Sequence, residues 1–229
     1  MTRLSESGII SPNQMAEALQ EQLGLFAPRR GGMRVGAGRK PAAGKRARVA
    51  HRRRPRLSRH HPVHAVLRVR EDVTNLRGPA FSTLLHCFKQ GRARPGFRLV
   101  HFSVQSNHLH FIIEADDAPA LARGMQALAI RIARNLNQIL DRHGQVFEDH
   151  YFAAQMKSPA QVRHTLRYVF RNDEHHAGRA LPGQDPRASE PYFGLAELPP
   201  DAPVAAAQTW LLTVGFRRER GKSWPGPAS

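Results

Sequence analysis

Residues 96–115, GFRLVHFSVQSNHLHFIIEA, constrain the fold of this chain more than any other stretch. A mostly apolar segment of this length is too long for one strand. The polar Gln105-Ser106-Asn107 interrupts it, which predicts two antiparallel strands joined by a tight turn. Side chains alternate across a strand, so Val100, Phe102 and Val104 are expected on one face of the first strand. In the second, Leu109, Phe111 and Ile113 share a face, leaving His108, His110, Ile112 and Glu114 on the other.

The flanking segments supply what such a hairpin packs against. HPVHAVLRV, from His61, alternates Val63, Ala65, Leu67 and Val69 with His64, Val66 and Arg68, as on a half-buried strand. GPAFSTLLHCFKQG, from Gly78, spaces Phe81, Leu84, Leu85 and Phe88 as on a helix, with Gly91 just past its end. After the hairpin, residues 116–144 predict a long helix capped by Asp116 or Asp117. Its core stripe is Leu121, Met125, Leu128, Ile132, Leu136 and Ile139, and Arg123, Arg131 and Arg134 lie on its other side. GQVFEDHYFAAQM, from Gly144, alternates as a fourth strand. Ser158-Pro159-Ala160-Gln161 is a capping box that opens a further helix, residues 159–172. The order strand, helix, strand, strand, helix, strand predicts an α+β fold of ferredoxin-like type. Its antiparallel sheet has two helices on one face and an open second face bearing His108 and His110.

The chain has 229 residues and a net charge of +17, concentrated in residues 27–60, which hold 13 Lys or Arg and no acid. A run rich in Arg, Gly, Ala and Pro reads as a disordered arm that seeks phosphate. Four divisions follow: a short helical segment over 1–26, the basic arm over 27–60, the folded domain over 61–176, and a Pro/Ala/Gly-rich extension over 177–229 with one ordered element near 209–218. The single cysteine, Cys87, excludes an internal disulfide and is expected in the core. No apolar run approaches the roughly 18 residues of a membrane span, and no secretory signal is visible, so a cytoplasmic location is expected.

His-x-His on a strand puts both imidazoles on one face, with Cβ atoms about 7 Å apart, close enough to converge on one metal ion. By itself the pair fits two solvated strand residues equally well. In RYVFRN, Tyr168 and Asn172 are four residues apart and therefore stack on one side of their helix, while Val162, Leu166 and Val169 form its buried stripe. A tyrosine at such a position is most often a boundary residue, so the motifs carry weight only jointly.

Jointly, NHLHFIIE, a long helix, GQVFEDHYF and a helix bearing YVFRN resemble the single-tyrosine HUH transposases, and within them the REP-associated tyrosine transposases. The resemblance spans residues 61–176. It implies cleavage of single-stranded or hairpin DNA by tyrosine attack, through a covalent phosphotyrosine, on an α+β fold with a DNA-binding open face and a C-terminal catalytic helix. Tyr168 would be the nucleophile, and His108, His110 and Asn172 the ligands of Mg2+ or Mn2+. Arg52, Arg53, Arg54, Arg56, Arg123, Arg131, Arg134 and Arg171 would contact DNA, with monomer and homodimer both open. Where many relatives place proline after that asparagine, this chain has Asp173 and Glu174.

Two other functions share the pattern. One is a binding-only regulator of palindromic repeats with an unused catalytic centre. The other is a replication initiator or relaxase, against which stands the absence of a tandem tyrosine pair and of a phosphate-binding G-x-x-x-x-G-K loop. Tyr151 is the rival nucleophile, expected rather to pack, and Tyr192 lies in the Pro-rich extension. His150 and His164 could assist protons or contact phosphate. His175 and His176 read as a solvated helix end.

Overall fold

The computed structural model describes residues 56–73, 75–171, 184–195 and 197–218. The expectations for 1–26 and most of 27–60, and for Asn172, His175 and His176, fall outside these residues. Five strands and four helices are described: β1 (Val63–Arg68), α1 (Ala80–Gly91), β2 (Ala93–Arg94), β3 (Phe97–Val104), β4 (His108–Ala115), α2 (Ala118–Ile139), β5 (Phe152–Gln155), α3 (Pro159–Phe170) and the one-turn α4 (Trp210–Thr213). The strands form one antiparallel sheet in the order β2-β3-β4-β1-β5. Leaving aside the two-residue β2, this is the strand order of a ferredoxin-like unit, so the α+β expectation holds.

The hairpin forms as its pattern requires, with a turn at Gln105, Ser106 and Asn107 that the chain after β1 holds in place. The Val69 amide donates to the Asn107 carbonyl and the Leu76 amide to that of Ser106, each at 3.0 Å. One expectation is corrected inside β3. A bulge between Leu99 and His101 turns Val100 to the opposite face from Phe102 and Val104. An extra residue in one strand switches the parity of everything before it, so Phe97 and Leu99 join Phe102 and Val104 instead.

That first face packs Val63, Ala65, Leu67, Leu109, Phe111 and Ile113 against α1 and α2. The cap of α2 is Asp117, whose carboxylate accepts from the Ala120 amide at 2.6 Å. Gly124 in this helix sits so close to β3 that a Cβ there would collide with the Phe97 ring. Gly91 belongs to α1 rather than following it, and Ile139, expected in the α2 stripe, is 46% exposed at the helix end. The fourth strand is shorter than its alternation suggests. Residues 144–151 run as a loop, joined to the end of β1 and the residues after it by an isolated bridge between Val69 and Phe147 and by the Glu148 amide, which donates to the Arg68 carbonyl at 3.1 Å, and Tyr151 packs against the first core. Cys87 is fully buried, and burial pushes its thiol up to about 11.

The second face is not open. Helix α3 lies on it, capped by the Ser158 hydroxyl, which accepts from the Gln161 amide at 3.3 Å. Val162, Leu166, Val169 and Phe170 form a second core with Val100, Ile112, Ala188, Phe193, Leu211, Leu212 and Phe216. Residues 184–195 and 197–218 are therefore part of the folded body, although their Pro-rich composition gives no periodic signal outside the expected ordered element near 209–218. Glu114 on β4 shows how they attach. Its buried carboxylate takes the Arg98 guanidinium at 2.9 Å and the amides of Gln208 and Thr209 at 2.9 and 2.7 Å. Arg77 holds the fully buried Asp185 side chain with a two-pronged pair at 2.8 and 2.9 Å.

Candidate active site

His108 and His110 project from β4 onto the second face, as the alternation predicts, and both are buried where α3 crosses the sheet. Their Nε2 atoms are 2.9 Å apart. Two donors at adjacent positions around one ion, each about 2.1 Å from it, would stand about 3 Å apart, so the pair suits a shared divalent cation as two of its donors. Among the described residues, no group of three or more His, Cys, Asp or Glu side chains is arranged to hold a metal ion. The other expected donor, Asn172, lies just past the described end of α3.

Tyr168 comes from α3, on the helix side that the buried stripe leaves free. Its ring meets the His110 ring edge-on at 5.3 Å and the His64 ring at 6.2 Å. A residue more than fifty positions from the histidines in sequence thus stands against them in space. Burial raises the Tyr168 phenol above its ordinary value, so the neutral form is favoured and attack by this oxygen needs help in losing its proton.

His64 is the residue that sequence reasoning passed over. It lies on β1, which pairs with β4 so that Val66 faces His110 and His64 faces Ile112. From there its Nε2 reaches the His110 Nδ1 at 3.1 Å, with the two rings stacked at 5.3 Å. Burial holds its pKa down near 4, so the ring is neutral at neutral pH. A second partner reaches the pair from the turn, where the Asn107 side-chain oxygen is 2.8 Å from the His108 Nδ1. The alternation of β1 does put His64 on the histidine face. Its pairing with β4, which makes the contact, has no signal in local pattern.

The expected DNA-contacting arginines divide. Arg52, Arg53 and Arg54 lie outside the described residues. Arg56 is exposed just before β1. Arg171 ends α3 three residues after Tyr168 and approaches the Glu190 carboxylate at 3.8 Å. Arg123, Arg131 and Arg134 are exposed on α2, which covers the first face, and so lie across the sheet from Tyr168. Tyr151 packs against that first core, and His150 and His164 are exposed.

With the site's geometry established, comparison with known proteins is decisive at the level of family. A family model for IS200-like transposases matches residues 58–172. The chain belongs to that family. The match covers half of this transposase-family chain and includes β1, the hairpin, α2 and α3, the elements that carry His64, His108, His110 and Tyr168. Among solved structures, a REP-associated tyrosine transposase bound to a REP hairpin shares the fold, with a TM-score of 0.52 at 13% identity over 79% of this chain and 98% of the other. A protein from Deinococcus radiodurans assigned as a transposase aligns at 14% identity over 54% of this chain and 98% of its own, with a TM-score of 0.37. No curated protein matches the chain. No helix among the described residues is long and apolar enough to cross a membrane.

Proposed function

We propose that this member of the transposase family cuts and rejoins single-stranded DNA at a hairpin-forming element, with Tyr168 as nucleophile. The observation that carries the reading is the edge-on contact of the Tyr168 ring with His110, whose Nε2 is 2.9 Å from that of His108. A phenol and two imidazole nitrogens from distant parts of the chain meet at one place, which is what a tyrosine nucleophile beside a metal site would need. The fold shared with a transposase described as bound to a REP hairpin supports the choice of DNA substrate.

In the proposed reaction the Tyr168 oxygen bonds to phosphorus as the bond to the 3′-oxygen breaks. The phenol proton leaves to a base, and the departing oxygen becomes a 3′-hydroxyl. The phosphotyrosine keeps the energy of the broken bond for rejoining. His108 and His110, with Asn172, would hold a Mg2+ or Mn2+ ion, which supplies charge neutralisation at the phosphate. The chain's own groups do the rest. The crossing of α3 over the sheet fixes the Tyr168 ring against the imidazoles. Arg56, Arg171 and the basic arm with Arg52, Arg53 and Arg54 would hold phosphates on the cleaved strand, while Arg123, Arg131 and Arg134 would meet only a remote part of the hairpin.

The test is incubation with a single-stranded hairpin oligonucleotide and Mn2+. Wild type should cleave it and carry DNA through a denaturing gel, whereas Tyr168→Phe and His108→Ala should do neither. Cleavage with an adduct that survives Tyr168→Phe would move the nucleophile to another residue and reject the role given to Tyr168, and no cleavage by the wild type would leave a DNA-binding regulator.

A further inference from the structure

We propose that His64 and Asn107 are positioning residues that set the tautomers of the two histidines, each accepting the Nδ1 proton of one ring so that both Nε2 lone pairs point at a shared cation. The inference rests on the metal reading given above and goes beyond it to residues outside the family's His-x-His motif. A ligating imidazole binds through one nitrogen only if the other carries the proton, and that N–H needs an acceptor to fix the ring. Here each ring has one. His108 Nδ1 is 2.8 Å from the Asn107 oxygen, and His110 Nδ1 is 3.1 Å from His64 Nε2.

The protons balance without gain or loss. Before an ion binds, a proton shared across the Nε2 to Nε2 contact of His108 and His110 would give these rings one self-consistent set of hydrogen bonds. The His108 Nδ1 proton points to Asn107, so the shared one sits on His110. His110 Nδ1 is then an acceptor, and His64 must donate from Nε2. With an ion between the Nε2 atoms, the His110 proton moves to Nδ1, His64 Nε2 becomes the acceptor, and the His64 proton moves to its Nδ1. Each of the three rings carries one proton before and after. His64 thus changes tautomer, not charge, when the ion binds. Asn107 has a fixed acceptor oxygen and needs no change.

The two positioning residues differ in a way that helps the test. His64 is buried at 3% exposure, so its replacement risks the fold, whereas Asn107 is exposed in the turn and can be changed safely. The experiment is a titration of the full chain with Mn2+ alone, followed by electron paramagnetic resonance. Wild type, His108→Ala, His64→Phe, His64→Gln and Asn107→Ala are compared after a thermal melt confirms that each is folded. Loss of an outer acceptor should weaken Mn2+ binding about 10- to 100-fold in His64→Phe and Asn107→Ala. His64→Gln, which restores an acceptor oxygen, should recover most of it. In parallel, 15N spectra of histidine-labelled wild type with Zn2+, a diamagnetic probe, should show His64 Nε2 passing from protonated to unprotonated. If wild type binds no Mn2+, the metal reading itself falls and takes this proposal with it. If wild type binds and His108→Ala does not, yet Asn107→Ala and folded His64→Phe bind as wild type, or His64 keeps its Nε2 proton, only the positioning role is overturned.

Discussion

His101 should make this protein lose stability in mild acid, by an amount that can be worked from its surroundings. Its ring is buried in the second core, edge-on to Phe170 at 5.1 Å and beside Phe193, with Nδ1 3.2 Å from the Ser189 hydroxyl. Burial lowers its pKa to about 3. In the unfolded chain a histidine takes its proton near 6.5, so between those values the unfolded state binds a proton that the folded state refuses. The contribution is intact above about pH 6.5 and is lost as the pH falls toward the folded value. From pH 7 to pH 5 the loss is about 2 kcal/mol for one such residue. His64, lowered to about 4, should add a similar loss over the same range. Urea unfolding of wild type and His101→Asn at pH 7 and pH 5 isolates the effect. The variant is expected to be less stable at both, because it leaves a cavity, but its drop between the two should be smaller by about 2 kcal/mol. An identical drop in both proteins would show that His101 is not held neutral, and the description of this core would be wrong.

Two further outcomes follow from particular contacts. Glu114→Ala strips the acceptor from the Gln208 and Thr209 amides and leaves the Arg98 guanidinium without its carboxylate, so stability should fall by about 3–5 kcal/mol. Hydrogen exchange at the 208 and 209 amides should speed up along with it, and unchanged protection there would contradict the anchoring role. Replacing Arg123, Arg131 and Arg134 together with glutamine should flatten the slope of log affinity against log salt by about 0.9 for each hairpin phosphate that is no longer neutralised. Single-turnover cleavage at saturating DNA should stay at the wild-type rate. A slowed cleavage step would mean that the α2 surface reaches the reacting phosphate.

Local pattern alone was enough to place the elements and to orient most of them. Period-2 and helical spacing are properties of a few adjacent residues, and capping by Asp117 and Ser158 depends on side chains within one turn of the helix start. The two faces of β4, and with them the side on which His108 and His110 stand, follow from the alternation of Leu109, Phe111 and Ile113. The joint occurrence of that strand with Tyr168 in RYVFRN was also sufficient to mark the family.

The rest depends on contacts between segments far apart in the chain, which no short pattern contains. A bulge at Val100 adds one residue to β3, and only pairing with β4 reveals which residue is extra. Residues 184–195 and 197–218 show little periodicity, yet close the second face because Glu114, Asp185 and the Val100 to Phe216 cluster give them partners. The α2 arginines are equally basic in sequence wherever the helix packs, and packing puts them across the sheet from Tyr168. His64 reads as an ordinary strand residue until β1 pairs with β4. Sequence determined that two imidazoles share a face. Strand register decided that a third imidazole would hold one of them, because register is set by the whole sheet closing on its core rather than by any strand alone.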